Sequence, residues 1–150
     1  MEWWNPGSLQ KQNYIIIALL LANLLVFGPV AGYEFLSYDD GLHVYENERV
    51  VNFSTDNLIY FWKNVHKGLY IPISYNLWVL QAKFSQYFPA KQINLVSGED
   101  ILNPAIFHTT NLLLHALSTI IVFLIIRKLI QHDLSAGVGA LFFAIHPVQV

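Results

Sequence analysis

The chain of 150 residues is rich in apolar side chains: 55% are hydrophobic, 12% are charged and the formal net charge is −2. Soluble domains carry about 25% charged residues, so this composition excludes an ordinary soluble domain. The lack of a basic excess excludes a nucleic-acid-binding protein, and the absence of cysteine excludes a disulfide framework. Aromatic residues, which collect at membrane interfaces, make up 15%. We therefore predict an all-α membrane protein.

The first charge-free segment covers residues 12–33 and has an almost wholly apolar centre, Tyr14–Phe27. About 20 apolar residues cross a hydrocarbon core of ~30 Å, and we predict a first transmembrane helix over residues 13–32. A cleaved signal peptide is the alternative. Only Lys11 and the amino terminus would form its basic region, and no good small-residue cleavage site follows the apolar centre.

Two further charge-poor segments lie towards the carboxyl end. Asn103 and Pro104, residue types that favour the N-cap and the first position of a helix, open a second predicted transmembrane helix over residues 104–128. A third covers residues 134–150 and reaches the last residue without a closing signal. We therefore expect the chain to be a fragment of a longer protein.

Basic residues near the ends of transmembrane helices face the cytoplasm. Lys11 precedes the first predicted helix, while Arg127 and Lys128 end the second. We therefore expect a multi-pass protein with a cytoplasmic N-terminus. The expected location is a bacterial inner membrane. Residues 33–103 would then form one long loop on the outer side.

This outer loop contains two predicted juxtamembrane helices. The cluster at 54–56 begins the first, which we expect to end at Gly68. Pro72 opens the second. Its predicted apolar face consists of Leu77, Leu80, Phe84 and Tyr87. Aromatic-rich amphipathic helices lie in the membrane interface, although a small soluble cap is an alternative. Residues 89–103 are typical of a connecting loop.

Two adjacent carboxylates, Asp39 and Asp40, follow the first predicted transmembrane helix. Such a pair can supply a general base or bind a cation. His43, a few residues on, could join them as a divalent-metal ligand, although sites for hard cations usually collect more oxygen ligands. A solvated acidic turn without a chemical role is the structural alternative.

The second predicted transmembrane helix carries four polar residues at spacings of 3, 4 and 3. They are His108, Asn111, His115 and Ser118. This spacing places them on one helix face. In lipid, polar groups face a helix-bundle interior or a wet cavity and mark a functional site. Hydrogen bonding that only joins helices is the structural alternative.

The third predicted transmembrane helix has small residues at four-residue intervals, Ala136, Ala140 and Ala144, which allow another helix to pack closely. His146 lies near its end, beside Pro147. At about 1.5 Å per residue, His115 and His146 have similar depths on adjacent antiparallel helices. We therefore predict that His115, Asn111 and His146 point into a shared interior.

Four motifs occur in order: YDD at 38–40, LYIPISYNLW at 69–78, LNPAIFHTTNLLLH at 102–115 and ALFFAIHP at 140–147. From about Phe35 onwards, the chain resembles the N-terminal part of the tetratricopeptide-bearing membrane glycosyltransferases of the GT-C superfamily. These are similar to protein O-mannosyltransferases. The family motif often has Arg before the proline of the second motif, where this chain has Ile71.

The resemblance implies an enzyme that moves a sugar from a polyprenyl phosphate to a hydroxyl of a protein or glycan acceptor outside the membrane. It also implies an acidic catalytic base in the first outer loop, matched best by Asp39 and next by Asp40. The residues that we assign to substrate binding are His43, His108, Asn111, His115 and His146. A divalent metal ion is an open possibility, and the fragment alone is expected to be inactive.

Two other classes of protein remain as alternatives. One is a non-catalytic membrane anchor or assembly subunit whose outer loop binds a partner. The other is part of a transporter, for which Pro147 is the only hint of a discontinuous helix.

Overall fold

The computed structural model describes residues 6–88 and 102–146. Over these residues the secondary structure is helical and contains no β-strand, which confirms the predicted all-α class. The α-helices are α1 (Pro6–Phe27), α2 (Glu48–Val51), α3 (Thr55–Lys63), α4 (Pro72–Ser85), α5 (Pro104–Ile130) and α6 (Asp133–Ile145). A 3₁₀ turn, Gly28–Gly32, follows α1, and a π-helical turn, Gly41–Tyr45, precedes α2.

The chain divides into two compact units. The first, here called the apolar helix unit, consists of the described residues of Met1–Ala31 and His108–Val150. The second, here called the aromatic unit, consists of the described residues of Gly32–Phe107. Each unit has its own hydrophobic core.

Two helical segments are long and apolar enough to cross a membrane: Leu9–Gly32, with 24 residues, and Pro104–Ile130, with 27. They match the first two predicted transmembrane helices in length and composition. The third prediction is not established, because α6 has 13 residues, or about 20 Å, against a hydrocarbon core of ~30 Å. Residues 147–150 of that prediction lie outside the described residues.

The start of α5 follows the sequence prediction. Asn103 is its N-cap, because its Oδ1 accepts a hydrogen bond from the backbone N–H of Ala105 at 3.1 Å, and Pro104 follows at the first helical position. The preceding residues 89–101 of the predicted connecting loop lie outside the described residues. Leu102 is buried in the core of the aromatic unit, and the backbone N–H of Asn103 donates to Ser85 Oγ.

A short connection links α5 to α6. Gln131 adopts a positive φ of 52° directly after α5, and His132 Nδ1 accepts a hydrogen bond from the backbone N–H of Ser135 at 3.3 Å. Arg127 Nε lies 2.6 Å from Asp133 Oδ1, so an ion pair joins the last turn of α5 to the first residue of α6.

The alanine stripe of α6 packs closely, as its spacing predicted. Ala136, Ala140 and Ala144 are fully buried. The adjoining Gly137 approaches α1 so closely that a Cβ there would lie 2.9 Å from Ile15 Cγ2. A Cβ on Gly139 would lie 3.2 Å from Ile126 Cδ1 of α5. The small residues therefore bring α6 against both α1 and α5.

The core of the aromatic unit is built around two stacked rings. Phe61 of α3 and Tyr75 of α4 lie 4.3 Å apart between centroids and 5° from parallel. Both are almost completely buried. Val79 and Ala82 continue the buried side of α4. This side lies opposite the apolar face named in the sequence analysis, so α4 has an inner and an outer apolar face.

The predicted end of α3 is wrong, because the helix ends at Lys63 and not near Gly68. The Asn64 side chain donates to the carbonyl of Tyr60 at 2.9 Å, satisfying that group at the helix end. The chain then makes a tight turn in which Lys67 and Gly68 have φ values of 50° and 81°. Two positive φ values at a two-residue turn favour glycine. Gly68 therefore serves this turn and does not cap α3.

Candidate functional site

The acidic pair lies at the start of the helical turn that precedes α2. Asp40 is half-buried, and its Oδ2 accepts a hydrogen bond from the backbone N–H of Leu36 at 2.9 Å. Asp39 is exposed to solvent. The two carboxylates thus differ: that of Asp40 holds the preceding backbone, whereas that of Asp39 faces solvent.

The turn after the acidic pair is a π-helical turn, in which the backbone N–H of Glu46 donates to the carbonyl of Gly41 at 3.0 Å. Gly41 is buried, and a Cβ there would lie 3.0 Å from Tyr45 Oη. The Tyr45 ring therefore lies against the glycine backbone. Isolated π-helical turns are rare and often occur at functional sites.

His43 connects this turn to α4. Its Nδ1 lies 2.8 Å from Tyr75 Oη, a hydrogen bond with the proton on either atom. His43 is 8% exposed and Tyr75 1%, so both groups are inside the aromatic unit. The Tyr75 hydroxyl is also 3.4 Å from the carbonyl of His66. The His43 ring therefore faces the protein interior.

Asn47 completes a polar cluster with the same residues. Its Oδ1 accepts from the backbone N–H of Arg49 at 3.1 Å, so its Nδ2 is the donor to the remaining partners. These are the carbonyl of His43 and Nε2 of His66, each at 3.1 Å. His66 Nε2 must therefore accept, which requires a neutral imidazole with its proton on Nδ1. We call His43, Asn47, His66 and Tyr75 the histidine–tyrosine cluster.

The surroundings of His66 and Tyr75 favour the uncharged forms of these two side chains. Burial lowers the pKa of His66 below the usual histidine value, and the charges of Lys67, His43 and Arg49 lower it further. Burial raises the pKa of the Tyr75 hydroxyl. At neutral pH the cluster therefore has a neutral His66 and a neutral Tyr75.

The predicted polar stripe on α5 is only partly directed inwards. His115 is 6% exposed, and its Nε2 donates to the carbonyl of Ala144 in α6 at 3.0 Å. His108 is half-buried, whereas Asn111 and Ser118 are exposed. The Ser118 hydroxyl donates back to the carbonyl of Leu114 in its own helix.

The prediction of a shared interior for His115, Asn111 and His146 is therefore wrong in part. His115 faces the interior, but Asn111 and His146 are exposed. The depth estimate assumed that His146 lies within the third helix. However, α6 ends at Ile145, so His146 lies just after the helix. Pro147, the other half of that motif, lies outside the described residues.

A second buried polar residue of α5, Thr119, was missed in the sequence. The hydroxyl of Thr119 donates to the carbonyl of His115 at 3.0 Å and accepts from Asn23 Nδ2 of α1 at 3.2 Å. Asn23 and Thr119 are almost completely buried. Asn23 is the single polar residue in the apolar segment Tyr14–Phe27, and this isolation could have predicted a buried hydrogen bond. Thr119 lies four residues after His115 and shares its face.

The metal alternative is not supported by a ligand cluster. Among the described residues, no group of three or more His, Cys, Asp and Glu side chains is arranged to hold a metal ion. The three side chains considered from sequence have different environments. Asp39 is exposed, Asp40 is bonded to backbone and His43 is bonded to Tyr75.

Comparisons with known proteins add no relatives: no protein-family model matches the chain, and no curated protein or solved structure is significantly similar to it.

Proposed function

We propose that this chain belongs to a membrane glycosyltransferase that moves a sugar from a polyprenyl phosphate to an acceptor hydroxyl outside the membrane. The observation that carries the proposal is the environment of Asp39. Its exposed carboxylate lies on an ordered turn, within a unit whose two ends join directly to helices of transmembrane length. The ordered set of four sequence motifs supports the same class of enzyme.

The proposed step needs a base on the acceptor side. The Asp39 carboxylate takes the proton from the acceptor hydroxyl, whose oxygen forms a bond to C1 of the sugar. The bond between C1 and the phosphate oxygen breaks, and the polyprenyl phosphate leaves with the electron pair. A lipid phosphate is already a good leaving group, so a positioned base contributes most at the acceptor.

Asp39 suits the role of base better than Asp40. A base needs a carboxylate that reaches a substrate proton, and Asp39 is the exposed member of the pair. Asp40 Oδ2 is engaged with the backbone N–H of Leu36. We therefore assign Asp40 to holding the turn.

We further propose the topology expected from the basic residues. The N-terminus is cytoplasmic, α1 and α5 cross an inner membrane, α6 begins a third crossing, and the aromatic unit is on the outer side. The ion pair of Arg127 with Asp133 supports a short connection at the cytoplasmic surface. An arginine near a helix end can keep its charge at the interface there.

The outer face of α4 supports a place for this helix at the membrane interface. Five large apolar or aromatic side chains are more than half exposed, three on α4 and two in the turn that follows it: Ile73, Leu80, Phe84, Tyr87 and Phe88. Ile73, Leu80 and Phe84 recur at helical spacing, so they share one side of α4. Lys83 lies beside them, with its Nζ 5.8 Å from the centroid of the Tyr87 ring. Aromatic rings flanked by lysine are typical of helices that lie in the interface.

A non-catalytic assembly subunit is the second candidate, and the same outer face of α4 favours it. An exposed apolar stripe on a folded unit can receive a partner protein as well as lipid. On this alternative Asp39 is a solvated surface carboxylate, and its substitution changes no reaction.

Transfer of a radiolabelled sugar from a polyprenyl-phosphate donor by the full-length protein in membranes tests the proposed function. Asp39→Asn should lower the rate by about 10²–10⁴-fold, the contribution of a positioned base. Asp56→Asn is the matched control, because Asp56 is another exposed aspartate of the same unit, and it should leave the rate unchanged. Wild-type rates in Asp39→Asn would contradict the base assignment, and absence of transfer by the wild type would favour the assembly subunit.

A further inference from the structure

The position of Asp39 depends on the contacts of the turn that follows it. Asp39 and Asp40 lie at the start of a turn that runs without a break into Gly41–Tyr45. Within that turn, a side-chain hydrogen bond to α4 is made by His43, whose Nδ1 lies 2.8 Å from Tyr75 Oη. Residues four or five apart are one turn apart in such a helix. The His43 ring thus fixes the backbone one turn after Asp39.

Tyr75 is itself held rigidly. Its ring stacks on Phe61 at 4.3 Å and meets Trp78 edge-on at 5.2 Å. The side chain is 1% exposed, so its hydroxyl has little freedom to move away from His43. The aromatic core thereby presents a fixed hydroxyl to the turn, whose Val44 is also buried in that core.

The opposite end of the turn is fixed by the same cluster. Asn47 Nδ2 donates to the carbonyl of His43 at 3.1 Å, and the backbone N–H of Asn47 donates to the carbonyl of Val44 at 3.2 Å. The turn is therefore restrained in two ways: through the His43 side chain, and through the hydrogen bonds of Asn47 to backbone carbonyls of the turn. A shift of about 1 Å in a reacting group can cost about 10²-fold in rate.

We propose that Tyr75 and His43 are positioning residues for Asp39: the buried Tyr75 hydroxyl holds His43, and His43 holds the turn from which the carboxylate projects. This inference rests on the proposed function of Asp39. It replaces the sequence-based assignment of His43 to substrate binding, because a ring that is 8% exposed and bonded to Tyr75 does not face a substrate.

Four variants separate this role from alternatives. Tyr75→Phe removes the hydroxyl but keeps the ring that stacks on Phe61. His43→Leu removes the same hydrogen bond by replacing the imidazole that contacts Tyr75. His43→Asn places an amide where Nδ1 lies and can restore the bond to Tyr75 without an imidazole. Tyr70→Phe is the control, because the Tyr70 hydroxyl also donates to a backbone carbonyl, that of Trp62 at 3.0 Å, outside the cluster.

The first readout is hydrogen exchange of the amides in residues 41–47 of the membrane-embedded protein. Tyr75→Phe and His43→Leu should speed exchange there by about tenfold or more, the factor that follows from losing one buried hydrogen bond. His43→Asn should reverse most of this acceleration, and Tyr70→Phe should cause none. Unchanged exchange in Tyr75→Phe would overturn the inference, whatever the protein catalyses.

The second readout is sugar transfer, with kcat and KM measured separately. Tyr75→Phe should lower kcat by about 10²-fold with little change in KM, because the base is misplaced while substrate contacts remain. His43→Asn should recover most of the kcat lost in His43→Leu. Faster exchange with wild-type kcat, or no rescue by His43→Asn, would overturn the positioning role. If the wild type transfers no sugar, the proposed function fails, and the exchange data still decide whether Tyr75 orders the turn.

Discussion

The apolar helix unit and the aromatic unit both bury polar side chains, but they use them differently. In the apolar helix unit, Asn23, Thr119 and His115 form a chain of hydrogen bonds that joins α1, α5 and α6. In the aromatic unit, short elements leave turn carbonyls that side chains must satisfy, and Asn47 and Tyr75 do so. Long helices satisfy their own backbones, so a few polar contacts are enough to join them.

The largest expected difference concerns the two most buried phenylalanines. Phe61 of the aromatic unit and Phe123 of the apolar helix unit are 1% and 0% exposed. Phe61→Ala should destabilise its unit by about 3–5 kcal/mol, because the ring leaves water on folding. Phe123→Ala should cost less, because lipid is as apolar as the helix interior and only packing is lost. Thermal unfolding in nanodiscs measures the stability of both variants. Equal losses of stability would show that the two units are surrounded by the same medium, either lipid or water.

The next comparison tests how closely α6 packs. Gly137→Ala should force α6 from α1, since its Cβ would meet the Cγ2 methyl of Ile15. Overpacking costs about 1–3 kcal/mol, partly offset by about 1 kcal/mol of gained helix propensity. Gly139→Ala is the matched variant: its Cβ meets the flexible end of Ile126, so the propensity gain should dominate. Equal stability of the two variants in the same unfolding assay would contradict the α1–α6 contact.

A smaller effect is expected for the polar chain of the apolar helix unit. Thr119→Val removes a buried hydroxyl that joins α1 to α5, and hydrogen bonds between membrane helices average about 0.6 kcal/mol. Ser118→Ala removes an exposed hydroxyl that bonds within α5 and should cost less. A larger loss in Ser118→Ala than in Thr119→Val would mean that the exposed side of α5 is the one that contacts other helices.

The smallest expected effect is a pH dependence confined to the aromatic unit. The pKa of His66 is lowered by burial and by nearby positive charges, so the folded state binds fewer protons than the unfolded state. Its stabilising contribution is present above about pH 6.5 and is lost as the pH falls through the lowered pKa.

Tryptophan fluorescence during unfolding at pH 7.5 and pH 5 measures this dependence. His66→Gln should reduce it, because the glutamine oxygen can accept from Asn47 but does not titrate. A dependence of unchanged size in His66→Gln would assign it to another group.

The sequence predicted local features well. Ser54, Pro72 and Asn103 each begin a helix or cap one, since these signals depend on neighbouring residues only. The end of α3 was predicted wrongly. The Asn64 side chain satisfies a carbonyl at the helix end, and the chain then turns at Gly68 and does not continue the helix. Exposed apolar residues on α4 were found, but its core side, with Tyr75, was not.

The candidate site was predicted in part. Asp39, Asp40 and His43 are adjacent in sequence and could be named from it. Tyr75 lies 32 residues from His43, and the contact depends on the packing of α4 against the turn, which no local pattern encodes. His66 was overlooked for the same reason: its partner Asn47 lies 19 residues earlier. Histidines in aromatic-rich segments are the signal that could have suggested a buried cluster.

The central claim is that the aromatic unit, with Asp39, lies on the outer side of a membrane that the long helices cross. The chain contains no cysteine, so single-cysteine variants have no background labelling within it. Asp39→Cys and Lys128→Cys place thiols at two exposed positions. A membrane-impermeant maleimide applied to intact cells should label Asp39→Cys directly and Lys128→Cys only after permeabilisation. Labelling of both from the same side, or of Asp39→Cys only from the cytoplasm, would contradict the account.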